Sequence, residues 1–347
     1  MSGNTQALDA IEREYQDNFA RRPRVTRSLA KLDELITKVG PYQTDPEVGA
    51  RAAEMKGRYQ SERSIIAELQ AGGQNARNAH RANALCNLFQ RRYARHFANK
   101  SRRTRDQALL AEMANRLETF LGDMTNIAKL WDHQVFADAR NRHQSLLSSV
   151  REELTAVPAD FNGADVAERA GALATRANHQ FRWYRLCFAG KDRATRRQAL
   201  LERILRELTD VEAGMSAAIQ GGYRDDAHNK NLGIVTDSLR IYRSEQAACR
   251  NARMQTTDAN VYSALANEAN GCFEKYRSDF AGKDRKSLDP AGLADVCDQL
   301  AELALHMDET DRVRGGNYEA NLFIVLENLA VYENEVELIE KARGTTT

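Results

Sequence analysis

The residues with the clearest capacity for chemistry are lysines and arginines that recur at a fixed spacing after a phenylalanine. With that phenylalanine as position 0, lysine recurs at +3 and arginine at +5 and +8. The cationic residues are Lys100, Arg102, Arg105, Lys191, Arg193, Arg196, Lys283 and Arg285, and a divergent first copy carries Arg22, Arg24 and Arg27. Cations beside the N-terminus of a helix suit a phosphate or another anion. The pattern therefore makes these residues candidates for binding an anion or a partner.

The same cations also have a structural explanation. They lie between the end of one predicted helix and the start of the next. Lys and Arg at such a place stabilise the dipole of the preceding helix and hydrogen-bond to its last carbonyls. The fourth copy is less basic, because Asp279, Asp284 and Asp289 accompany its cations. We therefore take stabilisation of the helix end as the first interpretation, and binding of a polyanion, either nucleic acid or acidic lipid, as the alternative.

These cations belong to a longer repeated pattern, N-x5-Y-x3-F-A-[GN]-K-[SD]-R-x-[ST]. Its anchor phenylalanines are Phe19, Phe97, Phe188 and Phe280, which lie 78, 91 and 92 residues apart. A period of this kind indicates one structural unit repeated four times. The other recurring polar residue is an asparagine at −10, found at Asn87, Asn178 and Asn270. At the edge of a helix core, this asparagine is predicted to hydrogen-bond across helices and fix their register, with contact to a surface ligand as the alternative.

Each copy predicts three helices, which we name A, B and C. In helix A, the tyrosine at −4 and the phenylalanine at 0 share one face and are predicted to pack in the core. Glycine or asparagine at +2 predicts a left-handed residue that ends helix A, as at Gly190 and Gly282. Helix B is predicted to start from a capping box at Thr104–Gln107 and Thr195–Gln198, and from Pro290 in the last copy.

Helices B and C carry apolar seams. Helix B has apolar residues at +13, +16, +20, +23 and +27, which is the spacing of a coiled coil. In copies two to four these residues are Leu110, Met113, Leu117, Phe120 and Met124; Leu201, Ile204, Leu208, Val211 and Met215; and Leu293, Val296, Leu300, Leu303 and Met307. Helix C has a similar seam and the sequence Tyr-x-x-Glu, at Tyr59 and Glu62, Tyr242 and Glu245, and Tyr332 and Glu335, which the second copy lacks.

Two such helices bury too little apolar surface, whereas three close a small bundle. The sequence therefore predicts an all-α protein of four tandem three-helix repeat units, elongated and similar in layout to spectrin-type repeats, without a residue-level match to that family. The units are predicted at residues 1–72, 73–157, 164–255 and 257–345, with the first unit divergent. Linkers are predicted near Gln70–Asn75, Thr155–Asp165 and Gln255–Asn260, and B–C loops at Gly221–Gly222 and Gly315–Gly316.

Composition restricts the class of protein. The 347 residues carry a formal net charge of +1, so no overall field requires nucleic acid or a membrane as partner. The 5 cysteines are odd in number and form no C-x-x-C pair, which indicates core thiols in a reducing compartment. The N-terminus has no apolar signal region, and no apolar run is long enough to span a membrane. These features predict a cytoplasmic protein.

The sequence contains no recognisable catalytic constellation, and we predict no catalytic residue, metal site or cofactor. The 7 histidines lack the spacing of metal-binding motifs, and no phosphate-binding loop or nucleophile elbow occurs. The leading hypothesis is a non-enzymatic helical-repeat scaffold or spacer that binds a protein partner and is able to form homo-oligomers. The alternatives are polyanion binding through the basic turns, and a small-ligand or enzyme site between helices.

Overall fold

The computed structural model describes residues 3–19, 27–98, 100–312 and 319–344, and within these ranges the ordered elements are helical. Twelve α-helices and no strand occur in this described part, which confirms the predicted all-α class. The helices are α1 (Gly3–Phe19), α2 (Leu29–Val39), α3 (Gly49–Ala71), α4 (Gly73–His96), α5 (Gln107–Ala128), α6 (Gln134–Asn162), α7 (Val166–Cys187), α8 (Gln198–Gln220), α9 (Asp226–Met254), α10 (Asp258–Asp279), α11 (Pro290–Arg312) and α12 (Glu319–Arg343). None of them has the length and apolar character that crossing a membrane requires.

The chain divides into two compact units. The first comprises Met1–Ala84 and Gly122–Arg140, and the second comprises Leu85–Leu121 and Asn141–Thr347. The first unit contains an apolar core drawn from α1, α2 and α3, in which the anchor Phe19 is buried. Complete burial of a Leu or Phe side chain stabilises a fold by about 1.5–3 kcal/mol, so this short copy has its own source of stability.

The second unit contains an apolar core drawn from α7, α8 and α9, in which the anchor Phe188 is fully buried. The predicted seam of helix B is confirmed, because every seam residue of copies two to four is buried. The anchors Phe97 and Phe280 are buried as well. The apolar spacing of the sequence therefore identifies the inward face of each of these helices correctly.

Helix A ends in copies three and four as the sequence predicts. Gly190 and Gly282 have φ angles of +74° and +73°, in the left-handed region. A side chain there costs about 1–2 kcal/mol, which explains why glycine ends the helix. Asn99, the corresponding residue of copy two, lies outside the described residues. A short 3₁₀ turn follows at 102–104, 193–195 and 285–287, and Pro290 is the first residue of α11 as predicted.

The predicted capping boxes at the start of helix B are wrong. Thr104 and Thr195 each donate from Oγ1 to the carbonyl three residues earlier, at 3.0 Å, and so belong to the 3₁₀ turn. Helix B of copy two is capped by Asp106, whose Oδ1 accepts from the backbone N of Leu109 at 2.8 Å. In copy four, Asp289 caps α11 in the same way. The 3₁₀ turn shifts the start of helix B by two residues in copies two and three, which a capping-box pattern does not reveal.

One predicted linker is also wrong in part. Helix α6 continues through Pro158 to Asn162, and the chain leaves the helix only just before Asp165, which forms a capping box with Glu168 at the start of α7. The other two predicted linkers do contain helix ends. The predicted loop at Gly222 is confirmed by its φ of +92°, whereas Gly315–Gly316 lies outside the described residues.

The second unit contains a buried set of ion pairs, which we name the Glu302 network. Glu302 of α11 accepts from Arg92 of α4 at 2.5 Å, from Arg197 at 2.6 Å and from Arg203 of α8 at 3.2 Å. Glu112 of α5 binds Arg197 at 2.5 Å and Arg203 at 2.7 Å. Burial alone would raise the pKa of Glu302, but its arginines outweigh burial and hold that pKa below its ordinary value. The network thus joins helices of copies two, three and four.

Trp183 of α7 packs against this network. The guanidinium carbons of Arg92, Arg182 and Arg203 lie 5.3, 5.6 and 4.9 Å from the centre of the indole. Such cation–π contacts contribute about 0.5–2 kcal/mol each. The Nε atoms of Arg92 and Arg203 are buried and have no hydrogen-bond partner among the described residues. The indole face therefore adds a contact for guanidinium groups whose hydrogen-bonding capacity the glutamates do not fully satisfy.

Candidate functional site

The recurring arginines bind a glutamate of helix C, and they do so in every copy. At +5, the pairs are Arg102 with Glu153 (3.0 Å), Arg193 with Glu245 (2.8 Å) and Arg285 with Glu335 (2.7 Å). In the first copy, Arg27 at +8 pairs with Glu62, whereas Arg22 and Arg24 lie outside the described residues. The A–B turn of each copy is therefore joined to its own helix C by a charged hydrogen bond.

The arginine at +8 is more buried than the arginine at +5. Arg105 and Arg196 each have a side chain that is 10% exposed, and they pair with Glu153 and Glu245. Each also donates to the backbone carbonyl of the lysine at +3, at 3.0 Å in copy two and 2.8 Å in copy three. The hydrogen bond from Arg193 lowers the pKa of Glu245, and the charge of Arg196 lowers it further. This guanidinium thus closes the A–B turn onto helix C.

The tyrosines of the pattern add an aromatic contact at the same place. The helix A tyrosine at −4 stacks on the tyrosine of Tyr-x-x-Glu in helix C. The ring centroids are 4.7 Å apart for Tyr15 and Tyr59, 3.8 Å for Tyr184 and Tyr242, and 3.8 Å for Tyr276 and Tyr332. In copy two, Val150 occupies the place of the helix C tyrosine and is buried. One turn of helix C therefore receives both the tyrosine of helix A and the arginines of the A–B turn.

Sequence reasoning missed the glutamate of copy two. The Tyr-x-x-Glu pattern is absent there, but Val150-x-x-Glu153 retains the acid. The sequence separation between the +5 arginine and its glutamate carries the missing signal, because it is 51, 52 and 50 residues in copies two, three and four. A search for a glutamate 50 to 52 residues after the +5 arginine, instead of for the tyrosine, finds Glu153.

The lysines at +3 differ from one another. Lys191 pairs with Glu268 of α10 at 2.7 Å. Lys100 and Lys283 are exposed and form no ion pair with any described residue. Of the candidate anion-binding cations, the two lysines therefore keep their charge available for another molecule, whereas the five arginines are paired within the chain.

The recurring asparagines do not meet the expectation of a register-fixing hydrogen bond. Asn178 and Asn270 are exposed, and Asn87 is half-buried. Their side chains form no hydrogen bond with any residue in the described part of the chain. The buried face of helix A is narrower than the sequence suggests. Position −10 lies about 80° around the helix from the Phe at 0, which is outside that face. Contact with a ligand or partner remains a prediction for these residues.

A double-mutant cycle measures how strongly the A–B turn is joined to helix C. We expect Arg196→Ala and Glu245→Ala to show a coupling energy of about 1–2 kcal/mol, because the pair is charge-assisted and mostly buried. The measurement is urea unfolding of the wild type, both single variants and the double variant. The exposed pair Lys341–Glu337, at 4.0 Å, is the control, with an expected coupling of about 0.3 kcal/mol. Equal couplings for both pairs would contradict a structural role for the turn arginine.

A pocket of about 230 Å³ opens beside the A–B turn of copy two, and we name it the Lys100 pocket. Lys100 and Arg105 contribute from the turn, Arg182 and Trp183 contribute from α7, and Asp298 contributes from α11. These residues all belong to the second unit. The pocket thus collects side chains from copies two, three and four, and two of them are cations predicted from the sequence.

The carboxylates of the Lys100 pocket are already hydrogen-bonded within the protein. Asp298 accepts from Arg95 at 3.1 Å, from His96 at 3.0 Å and from Arg182 at 2.8 Å. Burial alone would raise the pKa of Asp298, but these three groups outweigh burial and hold that pKa well below its ordinary value. The second carboxylate, Asp106, accepts from the backbone of Leu109 and from Gln180. The pocket therefore offers more unpaired donors than acceptors.

The described residues contain no cluster of His, Cys, Asp and Glu able to hold a metal ion. Burial and the charges of nearby arginines lower the pKa of His306 to about 3, so this imidazole is neutral near pH 7.

Comparison of this chain with protein-family models, with curated proteins and with solved structures found no match.

Proposed function

We propose that this chain is a non-enzymatic helical-repeat scaffold or spacer of four three-helix copies that binds another protein. The observation that carries the proposal is the contact between the turn arginine and the helix C glutamate, which recurs in all four copies. A residue set that recurs once per copy and is engaged inside each copy builds structure, whereas a catalytic set would converge on one cleft. The elongated arrangement and the cytoplasmic location stay predictions.

A protein partner is favoured by an apolar stripe on the outward side of α9. Ile234 and Ile241 are 45% and 52% exposed. They lie seven residues apart, which is two helical turns, so both project from one face of α9. Exposed isoleucines at this spacing suit the apolar face of a partner helix. We therefore assign the partner-binding surface to this face of α9.

Affinity capture with matched variants tests the assignment. The full chain is immobilised, and the proteins it captures from a lysate of its source cells are quantified by mass spectrometry. We expect Ile234→Glu with Ile241→Glu to reduce the captured partner at least tenfold. Ile324→Glu changes a similarly exposed isoleucine of α12 (48%) and is expected to retain the partner. Equal capture by the wild type and the double variant would contradict the proposal.

Polyanion binding is the second candidate function, and the unpaired charges of Lys100 and Lys283 favour it. Binding of duplex DNA through these lysines would follow the ionic strength, with a log–log slope of about −0.9 for each phosphate contacted. The test is fluorescence anisotropy of labelled DNA between low and physiological salt. A flat titration near physiological salt would leave only the scaffold function.

Light scattering at rising concentration tests the homo-oligomer, and a constant monomer mass would exclude self-assembly.

A further inference from the structure

The A–B turns of copies two and three border corresponding pockets of very different size. The Lys100 pocket has a volume of about 230 Å³, whereas the pocket beside Lys191 has about 20 Å³. The two share Phe, Lys, Thr and Leu residues at the same pattern positions: Phe97 and Phe188, Lys100 and Lys191, Thr104 and Thr195, and Leu109 and Leu200. The smaller pocket has room for about one water molecule, whereas the larger has room for several. One copy is therefore nearly filled and the other is open.

The pocket of copy three is filled by a carboxylate of the protein itself. Glu268 of α10 lies 2.7 Å from the Nζ of Lys191 and 3.0 Å from the Oγ1 of Thr195. The Lys191 ammonium therefore holds this carboxylate, and the Thr195 hydroxyl, whose single proton is shared with the Asp192 carbonyl, lies beside it. Copy three thus identifies the chemical group that this arrangement of residues binds.

Copy two has the lysine and the threonine but lacks the carboxylate. The position that corresponds to Glu268 is occupied by Arg176, twelve residues before its anchor phenylalanine. Arg176 is buried and binds Glu207 of α8 at 2.6 Å. Copy two therefore has a cation at the position where copy three is served by a carboxylate. The Lys100 ammonium therefore has no oxyanion partner in the described part of the chain.

A second cationic side chain, Arg105, lines the Lys100 pocket. The side chain of Arg105 is nine-tenths buried, and its Nε has no hydrogen-bond partner among the described residues. In copy three, the Nε of the corresponding Arg196 donates to the carbonyl of Lys191 at 3.2 Å. The Nε of Arg105 is itself enclosed by protein, so Arg105 contributes positive charge to the pocket wall and no direct hydrogen bond to a ligand.

Charge around the pocket favours an anion as well. Partial burial and the charges of Arg182 and Arg95 lower the pKa of Lys100 below its ordinary value. The two carboxylates of the wall are occupied by donors of the protein. A cationic group whose charged form is disfavoured by burial and like charges gains most from a bound anion. The pocket therefore favours a negatively charged ligand.

We propose that the Lys100 pocket binds the oxyanion of a small ligand, a phosphate or a carboxylate, at the ammonium of Lys100. The oxyanion takes the place that Glu268 takes in copy three. Trp183, Phe97 and Leu109 form an apolar wall beside it, with space for a small organic body next to the charged group. This site goes beyond the scaffold function and is independent of the α9 surface.

Isothermal titration calorimetry on the full chain at low salt tests this site. The probes are sodium pyrophosphate, inorganic phosphate and succinate, which together rank phosphate against carboxylate chemistry. We expect one site per chain and a decrease in affinity of at least tenfold in Lys100→Ala. Lys100 is exposed, so this variant is expected to fold as the wild type does. Lys283→Ala removes the corresponding lysine of copy four and is expected to bind as the wild type does.

A second variant reproduces the filled state of copy three. Ala294 of α11 borders the pocket, and Ala294→Glu adds a carboxylate there, which is expected to abolish binding of all three probes. Circular dichroism verifies the fold of each variant. The proposal is overturned if no probe binds the wild type, if Lys100→Ala binds as the wild type does, or if Lys283→Ala loses as much affinity as Lys100→Ala.

Discussion

Replacement of Glu302 by alanine is expected to lower the free energy of unfolding by about 3–5 kcal/mol. Glu302 is 4% exposed and accepts from Arg92, Arg197 and Arg203. Removal of one partner of a buried ion pair leaves the other charge without water and without compensation. In this network three guanidinium groups lose their shared acceptor. Among the described residues, Glu112 still pairs with Arg197 and Arg203, and Glu309 with Arg197, whereas Arg92 is left without an ion pair.

The measurement for Glu302→Ala is equilibrium unfolding in urea, analysed from the transition midpoint and slope. Glu337→Ala, at an exposed position of α12, is the matched control and is expected to change stability by at most about 0.5 kcal/mol. A loss below about 1 kcal/mol for Glu302→Ala would mean that the arginines find water or other acceptors. In that case the Glu302 network would not hold the second unit together.

Replacement of Trp183 by alanine is expected to lower the free energy of unfolding by about 3–5 kcal/mol. Trp183 is 2% exposed, so its loss leaves a large cavity. It also removes the aromatic face against which Arg92, Arg182 and Arg203 pack. The cost of the cavity and the loss of cation–π contacts therefore act in the same direction.

Trp183→Phe retains part of both contributions. Phenylalanine retains an aromatic face and fills most of the space, so the expected loss is smaller, at about 1–2 kcal/mol. Thermal or urea unfolding followed by circular dichroism measures both variants without dependence on tryptophan fluorescence. If the alanine and phenylalanine variants were equally stable, the indole would not be compensating the buried arginines.

The apolar pattern of the sequence predicts which faces of the helices are buried. The seam of helix B and the anchor phenylalanines lie where their spacing indicates, since a helix with one apolar stripe must turn that stripe inward. The glycines at +2 end helix A in a left-handed conformation because few other residues tolerate it. These features depend on residues close in sequence, so a single chain is sufficient to infer them.

Sequence patterns do not predict the contacts between charged residues. Arg92 resembles any other basic residue of the segment from 81 to 107, and nothing local distinguishes it from the exposed Arg102. Its partner, Glu302, is 210 residues away. Arg197 occupies the pattern position at which copy two has Asp106, so the repeated pattern does not predict an arginine there. Such pairs become visible only when helices from several copies pack together.

The pairing of the turn arginines changes the meaning of the repeated basic pattern. As a sequence, the pattern fits a phosphate-binding turn as well as a stabilised helix end. In the structure, the helix C glutamates neutralise these arginines within each copy, and the unpaired lysine of copy two is left beside an open pocket. The pattern therefore contributes stability in every copy and a candidate ligand site in one.

The most direct test of this account measures the salt concentration at which the protein elutes from immobilised heparin. We expect the wild type to elute below physiological ionic strength, about 0.15 M, because its turn arginines are paired. A triple variant, Glu153→Gln with Glu245→Gln and Glu335→Gln, releases these arginines and is expected to elute later than the wild type. It is also expected to elute later than a control of equal charge with Glu68→Gln, Glu118→Gln and Glu337→Gln. Strong retention of the wild type, with identical elution of the two triple variants, would contradict the account.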